Sequence, residues 1–596
     1  MMTAHVVPIR GLPPEHRWFE YSVPTGLTVA PGSLVEIPLR RQLIQGIVWA
    51  VSKNKARALR PISRLLAPEV VLTPWQRQLC ETISDLAAVS LATVVSMCAS
   101  TFPSRRPVTR ATFTSPIPGA PQPPPLPTES PPTTNTWWYG DRRQAIGWLT
   151  GWLAAGPNRV VIVPTIEDGW RLWHEARRHV ADLRFISSQL TPRDHHWLAD
   201  QVRHGRVQHL IGTLRALFLP YQRRPEFIID QEEHPAHKLR QRLPRLDARP
   251  IISRLTTTVI ATSPAPTLHW YWRYHPSPPP PRGRRMLVAL DRPNAIPWVS
   301  QELQSLIDDL KTEQHLLLIV PRRGLARAII CQDCGWAMAC PFCQQRLSLN
   351  RQSPQLSICQ NCGRESQWPA ICPRCRGVHW QYAGLALDRF ALQLRRQWPQ
   401  LELSTSWPPL SSARLWLGTY QVYRYLLGSP APQAIVLVSG DALLNWPDYS
   451  AAERGWQYLA RLAAAAPRVP LWVQTFAPQE PFWQRWRQSD HRAWYEDEIH
   501  QRRKLQLPPW SDQWIAFYRG PDARTQLGRL QQRLRRHSAV SCHPLPLIPG
   551  RSGHDPTARL LVSGPRDPGL SALLPRSQFF PYPWQLDTMV DSWLPS

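Results

Sequence analysis

The chain has 596 residues, 43% of them hydrophobic, and a formal net charge of +28. Its length implies several packed domains rather than one, and the basic excess favours a polyanionic partner, most often nucleic acid. No run of about 18 apolar residues reaches membrane-spanning length, and MMTAHVVPIRGLPPEHRW has no apolar core of the signal-peptide kind, so membrane and secreted readings give way to a cytoplasmic one.

In residues 1–104, HVVPI, SLVEIPL and QGIVWAV read as short strands separated by Thr-Gly and Pro-Gly turns. The apolar run TPWQRQLCETISDLAAVSLATVVSMCAS follows and reads as helix. The pattern predicts a small β-barrel-like domain backed by helices, with Cys80 and Cys98 buried. Residues 105–135 are a Pro/Ser/Thr-rich linker that cannot bury a core. In residues 136–280 the apolar runs RVVIVP, DLRFIS, VQHLIGT, EFIID and TTVIATS alternate with helical stretches, which predicts a parallel α/β sheet. Residues 281–330 open a second α/β unit, which resumes over 378–480 with ARLWLGT, AIVLVSGD and VPLWVQT. The tail, 481–596, starts with a charged helix around WYEDEIHQRRKLQ and continues as a small α+β domain.

Inserted in the second unit, residues 331–377 hold eight of the chain's 11 cysteines as four Cys-x-x-Cys pairs. These are Cys331/Cys334, Cys340/Cys343, Cys359/Cys362 and Cys372/Cys375. Each such turn aims two thiolates at one metal, and two turns complete a tetrahedral site, so the stretch predicts two structural zinc ions with no open coordination position.

This order of parts resembles the bacterial replication-restart primosomal helicase family (PriA, primosomal protein N-prime). The resemblance is carried by RRGLARAIICQDCGWAMACPFC with ICQNCG and ICPRC, and by HVV…FEYSVP, VRHGRVQHLIGTLRALFLP, LGTYQVYRYL, SGDALLNWPDYSAAERGWQYLARL and KLQLPPW. It implies an α/β multidomain fold: an N-terminal β-rich DNA-binding domain, two RecA-like helicase lobes, the zinc module and a C-terminal α+β domain. It implies the zinc pairing too, Cys331, Cys334, Cys372 and Cys375 on one ion and Cys340, Cys343, Cys359 and Cys362 on the other. Phe19, Glu20 and Tyr21 fall on the family's 3′-end-binding motif, and Arg60 lies near a family lysine of that pocket. Implied partners are forked or branched DNA, other primosome proteins, single-stranded DNA-binding protein and the machinery that loads the replicative helicase; the implied location is cytoplasmic and nucleoid-associated. The family's winged-helix domain has no room between the first two domains, where the proline linker stands.

The motor parts depart from the family. A phosphate loop G-x-x-x-x-G-K-[ST], whose Lys and Ser/Thr hold phosphates and Mg²⁺, occurs nowhere in the chain; its place reads WWYGDRRQAIGWL, where Arg142 and Arg143 do not rebuild it. The acidic box is Asp230-Gln231-Glu232-Glu233-His234, with Gln231 aligned on the Mg²⁺-linked Asp and Asp230 one residue away. Ala261-Thr262-Ser263 replaces Ser-Ala-Thr, and Arg461 to Arg468 replaces the arginine-finger motif, leaving Arg468 as the finger candidate. The expectation is a superfamily 2 helicase scaffold without ATPase and without bound ATP. It would recognise branched DNA and act as a platform for helicase reloading. The rival is an active ATP-driven 3′-to-5′ helicase, and an RNA-binding zinc protein is a third class.

Overall fold

The computed structural model describes all residues except 1, 10–15, 54–58, 103–135, 240–243, 257–258, 280–282, 291–297, 322–327, 332, 335, 337, 341–346, 350–355, 360–364, 368, 384, 386, 411, 445–447, 549–554, 568, 575–579, 581–583 and 589–596. The proline linker lies outside the described residues.

Strands β1 (Met2–Pro8), β2 (Phe19–Val23), β3 (Ser33–Leu39), β4 (Gln42–Lys53) and β5 (Arg64–Val70) form an antiparallel sheet in the order β2-β1-β4-β3-β5. It curls toward closure: the Ser22 N–H donates to the Arg60 carbonyl and the Ile62 N–H to the Ser22 carbonyl, both at 3.0 Å. Val6, Tyr21, Val35, Ile37 and Val48 fill the inside. Gly46 is needed there, since a Cβ would stand 2.5 Å from Val6 Cγ1. The strand β5 was not expected from the sequence, because its Pro68 and its charged ends blur the alternation. The expected helical run is two helices, α1 (Pro74–Ala87) and α2 (Leu91–Cys98). The break falls where Ala88 turns left-handed at φ 49° and Ser90 caps α2. Cys80 and Cys98 are buried with Sγ atoms 3.7 Å apart.

Next come β6 (Thr136–Trp138), α3 (Arg142–Ala154), β7 (Arg159–Ile162), α4 (Ile166–Ala176), β8 (Arg184–Ile186), α5 (Pro192–Arg203), β9 (His209–Gly212), β10 (Glu226–Ile229), α6 (Ala248–Leu255), β11 (Ile260–Ser263) and α7 (Leu268–Tyr274). The six strands make a parallel sheet in the order β6-β11-β10-β7-β9-β8. Helices cover its faces, which is why β7 and β10 read as unbroken apolar runs. This lobe shares a core with α1: Trp75 Nε1 donates to the Leu217 carbonyl and Gln76 to that of Phe218.

The second lobe is built on β12 (Arg285–Ala289) and β13 (Leu316–Ile319). The cysteine-rich insertion carries β14 (Ala328–Cys331), β15 (Leu347–Leu349), β16 (Leu356–Cys359), β17 (Glu365–Gln367) and β18 (Trp380–Ala383). The lobe resumes with β19 (Leu403–Ser404), β20 (Leu415–Gly418), β21 (Ala434–Leu437) and β22 (Leu471–Thr475). Its sheet runs β12-β22-β21-β13-β20-β19, all parallel. The last domain is antiparallel, with β23 (Ser511–Arg519), β24 (Ser541–Ile548), β25 (Thr557–Pro565) and β26 (Gln585–Asp587) in the order β24-β25-β23-β26. It is fastened to the first lobe by a buried ion pair in which Lys238 Nζ reaches both Asp587 oxygens, at 3.0 and 3.1 Å.

Candidate functional site

Trp137-Trp138, expected to precede the first strand, is itself the strand β6, so only Tyr139, Gly140 and Asp141 connect it to α3. Three residues are too few for a loop that wraps a phosphate chain. The helix start is also occupied: the Asp141 carboxylate accepts from the Arg143 N–H at 2.9 Å, placing a negative charge where a phosphate would bind.

Arg142, one residue further on, turns across the end of the sheet. Its guanidinium forks onto Asp230, Nη1 to Oδ1 and Nη2 to Oδ2, each at 2.6 Å. Asp230 is fully buried and Arg142 nearly so. Burial works against the charge on Arg142, but Asp230 more than offsets it and drives its pKa well above the usual guanidinium range. Thr262 Oγ1 donates to the same carboxylate at 2.8 Å. It is therefore Asp230, directly after β10, that takes the strand-end position, and not Gln231. The extra residue is absorbed at Gln231, which adopts a left-handed φ of 52°. Both oxygens of the Asp230 carboxylate are thus engaged by the chain's own side chains.

The two lobes meet directly over this pair. Arg143 donates to the Leu427 carbonyl at 3.2 Å and Arg171 to that of Arg424. His234 accepts from the Ala236 N–H through Nδ1, so its Nε2–H donates to the Tyr423 hydroxyl at 2.8 Å. Burial and then Arg461 hold His234 well below the ordinary imidazole range, consistent with that neutral tautomer. Arg461 lies 3.5 Å from Glu233 and over the Tyr423 ring. The space left among Tyr139, Arg142, Asp168, Tyr423 and Arg461 is about 20 Å³, room for about one water, whereas small-molecule sites measure about 300–1,000 Å³. Arg468, the finger candidate, does not line this space; it borders an open groove with Asp141 and Gln144. Arg461 is the arginine that enters the cleft.

In the insertion, Cys331, Cys334, Cys372 and Cys375 converge, their sulfurs all within 4.8 Å of one another. Cys331 and Cys375 are 3.5 Å apart and Cys334 and Cys372 3.7 Å. A tetrahedron with Zn–S bonds of about 2.3 Å has sulfur edges of roughly 3.8 Å, so the set fits zinc. The pairing of β14 with β18, which sets Cys331 opposite Trp380, brings the two ends of the insertion together. Of the second expected set, Cys340 is buried. Cys343 and Cys362, and the side chain of Cys359, lie outside the described residues.

The expected end-binding residues do not all converge. Alternation along β2 turns Phe19 and Tyr21 into the core, where the Tyr21 hydroxyl donates to the Pro38 carbonyl at 3.0 Å. Burial raises the Tyr21 pKa, with Arg60 opposing, and Arg60 donates to the Arg40 carbonyl at 3.3 Å. Glu20 faces the other way, 3.6 Å from His5 Nε2. His5 in turn stacks on Trp18, the ring centroids 5.4 Å apart. Trp18 and His5 were missed; the spacing of Trp18 two residues before Glu20, which puts both on one face of an extended segment, could have found the first.

Residues 6–100 match the family model of the PriA 3′ DNA-binding domain. The chain is 24% identical to the replication restart protein PriA of Bacillus subtilis (strain 168) over 60% of its length and 49% of the relative's. It is 25% identical to PriA of Synechocystis sp. over 60% and 49%, and 20% identical to PriA of Rickettsia conorii over 83% and 84%. The chain thus spans about half the length of the first two relatives. The Mycobacterium smegmatis helicase Lhr bound to single-stranded DNA and AMP-PNP aligns with 58% of this chain and 44% of its own at 10% identity, with a TM-score of 0.28, too low to bear on function. Among the described residues no helix is long and apolar enough to cross a membrane.

Proposed function

We propose, from the premise that this chain belongs to the PriA family of replication restart proteins, that it binds forked or branched DNA as a platform for reloading the replicative helicase and performs no ATP-driven unwinding itself. The observation that carries the second half is the bidentate Arg142–Asp230 pair at the end of β10. Hydrolysis needs the phosphates held, Mg²⁺ held and the developing charge countered. Here the group facing the acidic residue is a fixed cation from the protein itself, and the cleft around it has about 20 Å³ of space.

The first half rests on the N-terminal match and on charge. Glu20 is the acceptor for a terminal 3′-OH, and Trp18 rather than Phe19 or Tyr21 is the ring beside it on which a terminal base stacks. Arg60 supports the turn at Arg40. The net charge of +28 adds phosphate neutralisation, which makes binding steeply salt-dependent. The zinc module holds one ion on Cys331, Cys334, Cys372 and Cys375 and a second on Cys340, Cys343, Cys359 and Cys362; a closed Cys₄ shell shapes the module and offers no reactive water. Primosome proteins, single-stranded DNA-binding protein and the helicase loader are the partners that fit a platform of this family.

The test is fork binding by the purified chain. A fork with a 3′-OH at the branch should bind more tightly than blunt duplex, and Glu20→Ala should remove the preference for 3′-OH over 3′-phosphate ends. Equal affinity for fork and duplex contradicts the proposal. Elemental analysis under reducing conditions should give two zinc ions per chain, and Cys331→Ser should lose one and loosen the module, since metal binding is much of its folding energy.

A further inference from the structure

A second space lies on the far side of Arg461. It is a cavity of about 680 Å³ between the first lobe, the helix Ala451–Ala465 of the second lobe and the C-terminal domain, within the range of nucleotide-sized sites. Its wall carries seven arginines against five carboxylates. The carboxylates are already engaged: Glu232 accepts from the Thr267 N–H and hydroxyl, Glu233 from Ser263, and Asp247 from Arg249. Glu453 pairs with Arg502 at 2.8 Å, and Asp512 accepts from the Leu570 N–H at 3.2 Å. Arg254 and Arg273 are exposed and have no carboxylate partner among the described residues.

The rest of the wall suits a heteroaromatic ring. Pro508 and Pro509 give apolar surface against which a base can pack, beside Tyr449, whose ring lies under the Arg502 guanidinium at 5.1 Å. His269 lies on the wall without a hydrogen-bond partner among the described residues. Burial, with Arg566 and Arg273, lowers its pKa to about 4, so it meets a ligand as a neutral donor and acceptor.

We propose that this cavity is a nucleotide-phosphate site, with the phosphate on Arg254 and Arg273 and the base against the Pro508–Pro509 wall. It is separate from the closed cleft at Arg142. The phosphate comes either from a free nucleotide or from the 5′ end of a strand; only the second source rests on the DNA-binding reading above.

Calorimetry on the full chain distinguishes the sources. The probes are dAMP, dATP, inorganic phosphate, and an eight-residue oligothymidylate with a 5′-phosphate or a 5′-hydroxyl. The expected result is binding of dAMP or of the 5′-phosphorylated oligomer, weakened about tenfold or more by Arg254→Glu with Arg273→Glu and unchanged by Arg142→Met with Asp230→Leu, which removes both charges of the closed cleft together. Both substituted arginines are exposed, so the variant should keep the fold, which circular dichroism checks. Three results overturn the proposal: no binding of any probe, binding indifferent to the two charge reversals, or inorganic phosphate binding as well as dAMP, which marks an adventitious anion only. Preference for a 3′-OH fork in the same samples reports on the Glu20 reading separately, so the two can fail independently.

Discussion

Two spaces meet at Arg461, and they differ more than thirtyfold in volume: about 20 Å³ on the side of Arg142 and about 680 Å³ on the side of Arg254. On the small side the charged groups are turned on each other. Arg142 takes both oxygens of Asp230, and backbone carbonyls of the second lobe take Arg143 and Arg171. On the large side the carboxylates are likewise satisfied and Arg566 donates to the Pro509 carbonyl, but Arg254 and Arg273 are exposed and have no hydrogen-bond acceptor among the described residues. The lesson is that arginine count alone does not mark a ligand site. What separates a plug from a pocket is whether the guanidinium has an internal acceptor.

That contrast can be broken most severely at the small side. Arg142→Ala leaves Asp230 buried without its cation, and should cost about 3–5 kcal/mol in denaturant unfolding of the first lobe. The companion variant, Arg142→Met with Asp230→Leu, replaces both charges by apolar groups. It should recover most of that loss, since well-packed apolar replacements of buried pairs are often neutral. A double variant as unstable as the single one would mean that the pair does more than satisfy itself.

The next effect is a pH dependence at the shared wall. Burial raises Glu232 and Glu233 from 4.5 to about 7, against the pull of Arg249 and Arg461 respectively. A carboxyl whose folded pKa is raised contributes stability that is whole below about pH 4.5 and is lost as pH rises through about 7. Asp247 runs the other way: burial opposes its charge, but Arg249 wins and lowers it from 3.8 to about 2, so its contribution is present above pH 3.8 and lost on acidification through about 2. Unfolding measured from pH 5 to 8 should therefore show a decline that Glu233→Gln reduces by about 1–3 kcal/mol. A pH profile that Glu233→Gln leaves unchanged would contradict the raised carboxyl.

Arg461→Met should cost less, about 1–2 kcal/mol, because Glu233 can respond by holding its proton instead of remaining a bare buried charge. It should also enlarge the small space, readable as new binding of a solvent-sized probe in a crystal of the variant. At the bottom of the scale, Arg254→Glu with Arg273→Glu should shift stability by no more than about 0.5 kcal/mol, as exposed changes generally do. A large loss there would turn the proposed pocket into another internal ion network.

Much of the fold was legible. The parallel strands are short runs such as Leu316–Ile319, apolar at every position because both faces are covered, and the cysteine spacing announced its module. What was not legible depended on contacts far apart in sequence. Arg142 and Asp230 are 88 residues apart, and nothing local marks one as the other's partner. The assignment of Arg468 over Arg461 came from matching a motif by position. Helical phase held better information: Glu453, Gln457 and Arg461 recur at four-residue spacing on one stripe of their helix and all line the large cavity. In the N-terminal domain, Phe19 and Tyr21 drew attention as aromatics near a carboxylate, although strand alternation sends them to the face opposite Glu20.

The most direct measurement is ATP turnover by the full-length chain in the presence of forked DNA. A cleft closed by Arg142 on Asp230 predicts no DNA-stimulated hydrolysis and no strand separation, with Arg142→Ala failing to restore either, since one opened position does not rebuild the phosphate loop or the finger motif. Turnover at ordinary helicase rates, abolished by Asp230→Ala, would contradict the account and return the chain to the motors.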